Sequence, residues 1–206
     1  MKQRILDGAY QAGDYVRELS VAKELEVSRT PVREALRELI SEGWLEAIPH
    51  QGARVSAWTE QDAQEVFEIR LQLEPLAIYK AAGQIEEPAL DALQQLATRM
   101  EKLAEQPDDS EKAEIAILNH EFHRDLIRAS KSQRLIMVLD SIVRPSTVHR
   151  NFQHYHQADL QRSMRHHREM LEAIAAGNGP WAENVMRTHL LAGRDLYTQA
   201  MTFQAD

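Results

Sequence analysis

A mainly α-helical chain in two parts is predicted: a small unit of helices and one β-hairpin over residues 1–58, and an all-helical antiparallel bundle over 59–206. Three observations carry this. Apolar residues recur at helical spacing through most of the chain. The one stretch with strand character is short and precedes residue 58. Only 8 Gly and 7 Pro occur in 206 residues, so turns are few. An apolar content of 43% suffices for a core in each part, and the 27% of charged residues suits a soluble rather than a disordered chain.

In the first part, LSVAKEL (residues 19–25) is a short amphipathic helix, and Ser28-Arg29-Thr30-Pro31 begins the next one. Ser28 or Thr30 can cap it, and Pro31 falls in the first turn, where a missing N–H costs nothing. Val32, Ala35, Leu36, Leu39 and Ile40 keep the spacing of one buried face to about Glu42, and Gly43 ends the helix. Arg29, Arg33 and Arg37 recur every four residues and line one flank, with Thr30 beside them. Trp44, Leu45, Ala47 and Ile48 then form a strand, Pro49-His50-Gln51-Gly52 a turn, and Ala53-Arg54-Val55-Ser56 the returning strand. Two helices and a hairpin are the plan of a winged helix-turn-helix, whose second helix enters a DNA major groove. An arginine stripe among Glu34, Glu38 and Glu42 is also what an ion-paired solvated helix shows, so periodicity alone leaves both readings open.

VSRTPVREALRELISEGWLEAIPHQGARV closely resembles the recognition helix and wing of the GntR family of regulators. The resemblance implies that Arg29 and Arg33 read bases or phosphates, that Thr30 contacts a phosphate, and that His50 and Gly52 are wing-tip contacts. Arg37, Gln51 and Arg54 complete the expected DNA-binding set. Where some members have a basic residue at the start of the preceding helix, this chain has Leu19, with Arg17 the nearest cation. The first helix of the motif is reduced to KQRILDG, short by a turn or more. Charge is consistent with this division: residues 1–58 hold 8 Lys+Arg against 9 Asp+Glu, the remainder 16 against 23, so most of the net −8 lies outside the first part. Long-range steering toward DNA is then weak, and affinity rests on a few placed cations, doubled in a dimer.

From Thr59 onward no strand pattern appears. Thr59 with Asp62 resembles a capping arrangement, and Val66, Ile69, Leu73 and Ile78 carry an apolar face to about Ala82, with a kink at Pro75. Further helices are expected at about 87–105, 110–129, 132–154, 159–176 and 180–202. Asn119 and His123 share a helix face, and His167 and His189 lie on two later helices beside apolar positions, so three imidazoles from three helices can converge. Such a set suits zinc, nickel or a similar divalent ion. Taken singly, each histidine is more often a core or surface residue, the assignment given to His120, His149, His154, His156 and His166.

RLQLEPLAIYKAA, NHEFHRDLIRAS, HHREMLEAI and VMRTHL, in this order, resemble the FCD ligand-binding domain of the FadR-like branch of the GntR family. The resemblance implies metal ligation by Asn119, His123, His167 and His189, with Asn119 standing where the family usually has aspartate. An amide oxygen donates more weakly than a carboxylate, and an ion left uncompensated by the protein favours an anion completing its shell. Arg70 matches the family's anion-holding arginine; its other reading is a surface ion pair with Glu74, four residues on. The resemblance therefore implies a homodimeric repressor of a palindromic double-stranded operator, released by a small organic acid.

The chain has no cysteine, which excludes disulfides and thiolate metal sites. No apolar run reaches the roughly 18 residues of a membrane span and MKQRILDGAY lacks the core of a signal peptide, so a cytoplasmic protein without a membrane partner is expected. The alternative is a helical-bundle metalloenzyme built on the three histidines; no carboxylate is specifically placed as its general base, and Gly-rich phosphate loops, G-x-S-x-G and H-E-x-x-H are all missing.

Overall fold

The first six elements of the computed structural model, which describes residues 2–6, 9–49, 51–57 and 59–204, are set by two helix-ending turns. Helices α1 (Lys2–Leu6), α2 (Glu18–Glu24) and α3 (Arg29–Ser41) accompany strands β1 (Tyr15–Val16), β2 (Leu45–Ile48) and β3 (Gly52–Val55). After α2, Glu26 takes the left-handed conformation (φ +53°), the Glu26 N–H donates to the Lys23 carbonyl and the Val27 N–H to that of Ala22. After α3, Gly43 (φ +82°) does the same, with Gly43 N–H on Ile40 and Trp44 N–H on Leu39. Both turns satisfy the terminal carbonyls of their helix, but only the second uses the residue that adopts this geometry freely. Ser28 occupies the N-cap of α3 without a side-chain capping bond.

The hairpin β2–β3 gains a third strand that sequence pattern did not announce. Tyr15 and Val16 pair antiparallel with Arg54 and Ala53, giving the order β1-β3-β2. Two residues are too few to show alternation. Val16, Val21, Val32, Leu36, Leu39, Trp44, Leu45, Ala53 and Val55 form the core beneath this sheet and α2–α3. That burial fixes which flank of α3 faces outward, leaving Arg29, Arg33 and Arg37 exposed.

The chain divides at residue 59 into units Met1–Thr59 and Glu60–Asp206. The second contains α4 (Glu60–Ala81), α5 (Glu87–Leu103), α6 (Asp109–Ala129), α7 (Gln133–Ile142), α8 (Pro145–Phe152), α9 (Gln157–Ala175) and α10 (Gly179–Gln204). Its core is built on Ile115, Phe122, Leu126, Leu139, Leu160, Met170 and Ile174. A capping box of Asp108 with Glu111 starts α6. The single helix expected over 132–154 is two helices, because Pro145 forces Arg144 into extended backbone (φ −100°, ψ 150°) and opens α8 at its own first residue. No described helix is long and apolar enough to cross a membrane.

Helix α4 departs from its expected face. Val66 and Leu73 are half-buried and Ile69 is exposed, whereas the buried row runs Ala63, Phe67, Arg70, Leu71, Glu74, Ala77, Ile78 and Ala81. The hydropathy pattern misleads here because the inward face carries a charged pair and small residues, while Ile69 and Leu76 point outward. Pro75 lies within this helix.

The non-glycine left-handed turn predicts a stabilising change. Glu26→Gly is expected to stabilise the α2–α3 region by about 1 kcal/mol, the steric cost of that conformation for an L-residue less the added freedom of glycine when unfolded. Amide exchange in α2 and α3 of the full chain is the measurement; unchanged or faster exchange contradicts the account.

Candidate functional site

Two clusters of polar side chains stand out, one in each unit. On α3, Arg29 and Arg33 converge on one carboxylate from α2. Glu18 Oε1 accepts from Arg29 Nε at 2.7 Å and from Arg33 Nη2 at 2.9 Å, and Oε2 accepts from Arg33 Nε at 3.0 Å. The bidentate Arg33, with Arg29, outweighs desolvation and holds the Glu18 carboxyl at about 2. The partner is thus neither Glu34 nor Glu38 on the same helix but the first residue of α2, brought near by the α2–α3 turn. Both guanidiniums remain about half exposed or more, at 61% and 49%. Arg37 has no ion-pair partner among the described residues, and Thr30 is exposed beside Arg29.

The hairpin end is structurally determined. Gly52 has φ +101°, and a Cβ there would lie 3.2 Å from the Val16 carbonyl oxygen, so the position tolerates only glycine without strain. Gln51 is exposed in the turn, its N–H donating to Ile48. Arg54 donates to Glu46, its cross-strand neighbour, at 2.8 Å. His50 lies outside the described residues, as does Trp58.

The second cluster is inside the helical unit. His123 on α6, His167 on α9 and His189 on α10 offer ring nitrogens all within 4.8 Å of one another, and all three residues are buried. The ring centres of His167 and His189 lie 4.9 Å apart, and Phe122 packs on His167 at 4.5 Å. His123 Nε2 and His189 Nε2 face each other at 3.1 Å, so one proton must lie between them. Burial, together with the neighbouring imidazoles, pushes His167 and His189 well below the usual imidazole range, and both are neutral at pH 7 with lone pairs available. Asn119, one turn before His123, is buried with its Oδ1 unpartnered, and both ring nitrogens of His167 lack a partner as well. A buried polar atom without a hydrogen bond costs about 1–3 kcal/mol, so several in one place mark a site built for something that supplies bonds. Three imidazoles and an amide oxygen fit a divalent first-row ion.

Arg70 on α4 is buried rather than on the surface, and its partner Glu74 is completely so. Arg70 Nε donates to Glu74 Oε1, while Glu74 Oε2 lies 2.8 Å from His123 Nδ1. Burial pushes the Glu74 carboxyl up, but Arg70 and His123 more than offset it and hold it at about 2. The two terminal nitrogens of Arg70 have no hydrogen bond to any described residue. Sequence named Glu74 only as a surface partner of Arg70 and not as a site residue; the i,i+4 spacing fits an exposed pair equally well, and only burial distinguishes the two. His120 is half-buried, and burial with nearby Arg124 lowers it to about 4.

Comparison with known proteins accounts for both units. Residues 1–55 match the model of bacterial regulatory proteins of the gntR family, and residues 65–192 that of the FCD domain. The uncharacterized HTH-type transcriptional regulator YdhC of Bacillus subtilis is 29% identical over 93% of this chain and 83% of its own length. A probable D-xylose utilization operon transcriptional repressor of Paenarthrobacter nicotinovorans is 30% identical over 91% of this chain and 81% of its own. Among solved structures, E. coli McbR/YncC superposes with a TM-score of 0.73 at 24% identity, covering 97% of this chain and 94% of that one.

Proposed function

The chain belongs to the GntR family of bacterial regulatory proteins, with an FCD effector-binding domain, and from this premise we propose that it is a homodimeric repressor released from a palindromic operator by a small organic acid. The family consists of transcription regulators and gives the metalloenzyme alternative no support. The single observation that carries the effector reading is the buried Arg70, whose terminal nitrogens are open and which is hydrogen-bonded through Glu74 to His123 and on to His189, with His167 beside them. A carboxylate that engages Arg70 and also approaches an ion on His123, His167, His189 and Asn119 would satisfy both the arginine and the ion. Such an ion supplies positive charge that holds the acid; the chain's own residues orient and desolvate it. Repression is supported by the name of the Paenarthrobacter relative.

For the operator, Arg29, Thr30, Arg33 and Arg37 on α3, with Gln51, Gly52, Arg54 and His50 of the wing, are the proposed DNA contacts. Exposed ion pairs contribute little to stability, so Glu18 can yield Arg29 and Arg33 to phosphates or base edges without cost to the fold. Until then it holds both side chains in one orientation. The homodimer is supported by the outward Ile69 and Leu76 of α4, which packs on α7, where Met137 and Val138 are also exposed. A second copy of the chain would cover them, and two copies are what a palindrome requires.

Three outcomes test this. Arg33→Ala should weaken binding to a duplex selected from a random pool by about 5- to 150-fold at fixed salt, the range for one lost base reader; unchanged affinity removes Arg33 from the interface. Leu76→Glu should shift the protein to monomer in sedimentation, and retention of a dimer would place the interface elsewhere. Added Zn²⁺ should raise the thermal midpoint of the helical unit in a concentration-dependent way, and His167→Ala should abolish that response; a midpoint indifferent to Zn²⁺ and Ni²⁺ in the unmutated protein argues against the ion.

A further inference from the structure

The donor set of three imidazoles and one amide is neutral, so a dication entering it would bring uncompensated charge into a buried space. The completely buried Glu74 is the carboxylate that touches this set. Its two oxygens are divided: Oε2 meets His123 Nδ1 at 2.8 Å, and Oε1 accepts from Arg70 Nε. An ionised carboxylate can only accept, so Nδ1 of His123 must carry the proton. The lone pair of His123 is thereby directed through Nε2 toward His189, 3.1 Å away, which is where a shared ion would sit. A His123 that is to serve as a ligand carries no second proton, and in that form His189 is the donor in the hydrogen bond between these two nitrogens. An ion held by these nitrogens would take the place of that proton, which His189 would then carry on Nδ1.

We propose that Glu74 is a positioning residue which fixes the tautomer of His123 and, by dividing its charge between His123 and Arg70, couples ion binding to anion binding. The inference rests on the ion and anion reading given above. When Arg70 is drawn toward an incoming anion, Glu74 gives more of its charge to His123, and His123 becomes a stronger donor. By linkage, an ion on the imidazoles in turn loosens Arg70 from Glu74 and raises its affinity for the anion. The two ligands then reinforce one another through a residue that touches neither.

The discriminating feature is a pair of effects of opposite sign. In competition with a chromophoric chelator, Glu74→Gln should lower Zn²⁺ affinity by about 10- to 100-fold, the usual consequence of removing a histidine's outer partner. Arg70→Gln, which releases the whole charge of Glu74 to His123, should raise it several-fold. A purely structural role would lower affinity in both, and that result, or an unchanged affinity in Glu74→Gln, overturns the proposal. Glu74→Asp retains the charge and should lose less than Glu74→Gln; equal losses also overturn it. If Glu74→Gln fails to fold, the Arg70→Gln arm stands by itself, and a lowered or unchanged affinity there overturns the proposal. Should the unmutated protein bind no Zn²⁺, the ion reading itself fails. The positioning role is then read from imidazole ¹⁵N spectra, where His123 should be the Nδ1–H tautomer in the unmutated protein and lose that preference in Glu74→Gln. A His123 that is Nε2–H in the unmutated protein contradicts it.

Discussion

The interior of the helical unit is organised around one constraint: a guanidinium and a carboxylate, buried together, must each be satisfied by groups that are themselves buried. Arg70 and Glu74 answer each other along one turn of α4, and the remaining oxygen of Glu74 reaches across to His123 on α6. His123 then meets His189 on α10. The chain of contacts ties three helices at a defined rotation about their axes, because a turn of any one of them by a single residue would leave a charge unpaired at a cost of about 3–5 kcal/mol. Hydrophobic packing alone tolerates sliding and substitution more readily.

That constraint also explains why stability is not the purpose of the arrangement. Replacing a buried ion pair by apolar residues of similar volume is often neutral or stabilising. Here the bundle retains the pair together with orphaned atoms on Asn119 and His167, several polar groups in the middle of an otherwise apolar core. Buried polar atoms that the protein itself leaves unbonded are consistent with the ligand site proposed above. The DNA-binding unit shows a milder version at its surface, where Glu18 gathers two arginines that a phosphate would gather equally well.

How much of this could be read beforehand depended on whether the local signal was periodic. Helix α3, its terminating Gly43 and the hairpin follow from spacing and turn chemistry within thirty residues, and the three histidines lie on helices whose limits are marked by Pro107, Lys131 and Gly177. Strand β1 was not legible, being two residues whose pairing is with β3 some forty residues away. The break at Arg144-Pro145 was legible but masked by apolar periodicity on both sides, although the residue before a proline disfavours helix. Helix α4 was the instructive failure. Of the row Val66, Ile69, Leu73 and Ile78 only Ile78 is buried, because apolar residues lie on more than one side of this helix and the inward face is shared with Arg70 and Glu74, so the spacing selected a face rotated from the buried one.

The pattern on α4 has a functional logic. One face of the helix carries Arg70 and Glu74 inward to the proposed ligand site, and another carries Ile69 and Leu76 out to where a second copy could pack. An α-helix is stiff along its length, and its two faces cannot rotate independently, since both are fixed to the same hydrogen-bonded backbone. Any adjustment of Arg70 toward a bound acid that tilts or rolls α4 must therefore appear on the outer face as well. A differential contact at one surface becomes a differential contact at the other, which is the physical requirement for a ligand to bias the pairing of two chains. The helix that looks least amphipathic in the sequence is thus the one that can connect effector to assembly, because both of its faces are in use.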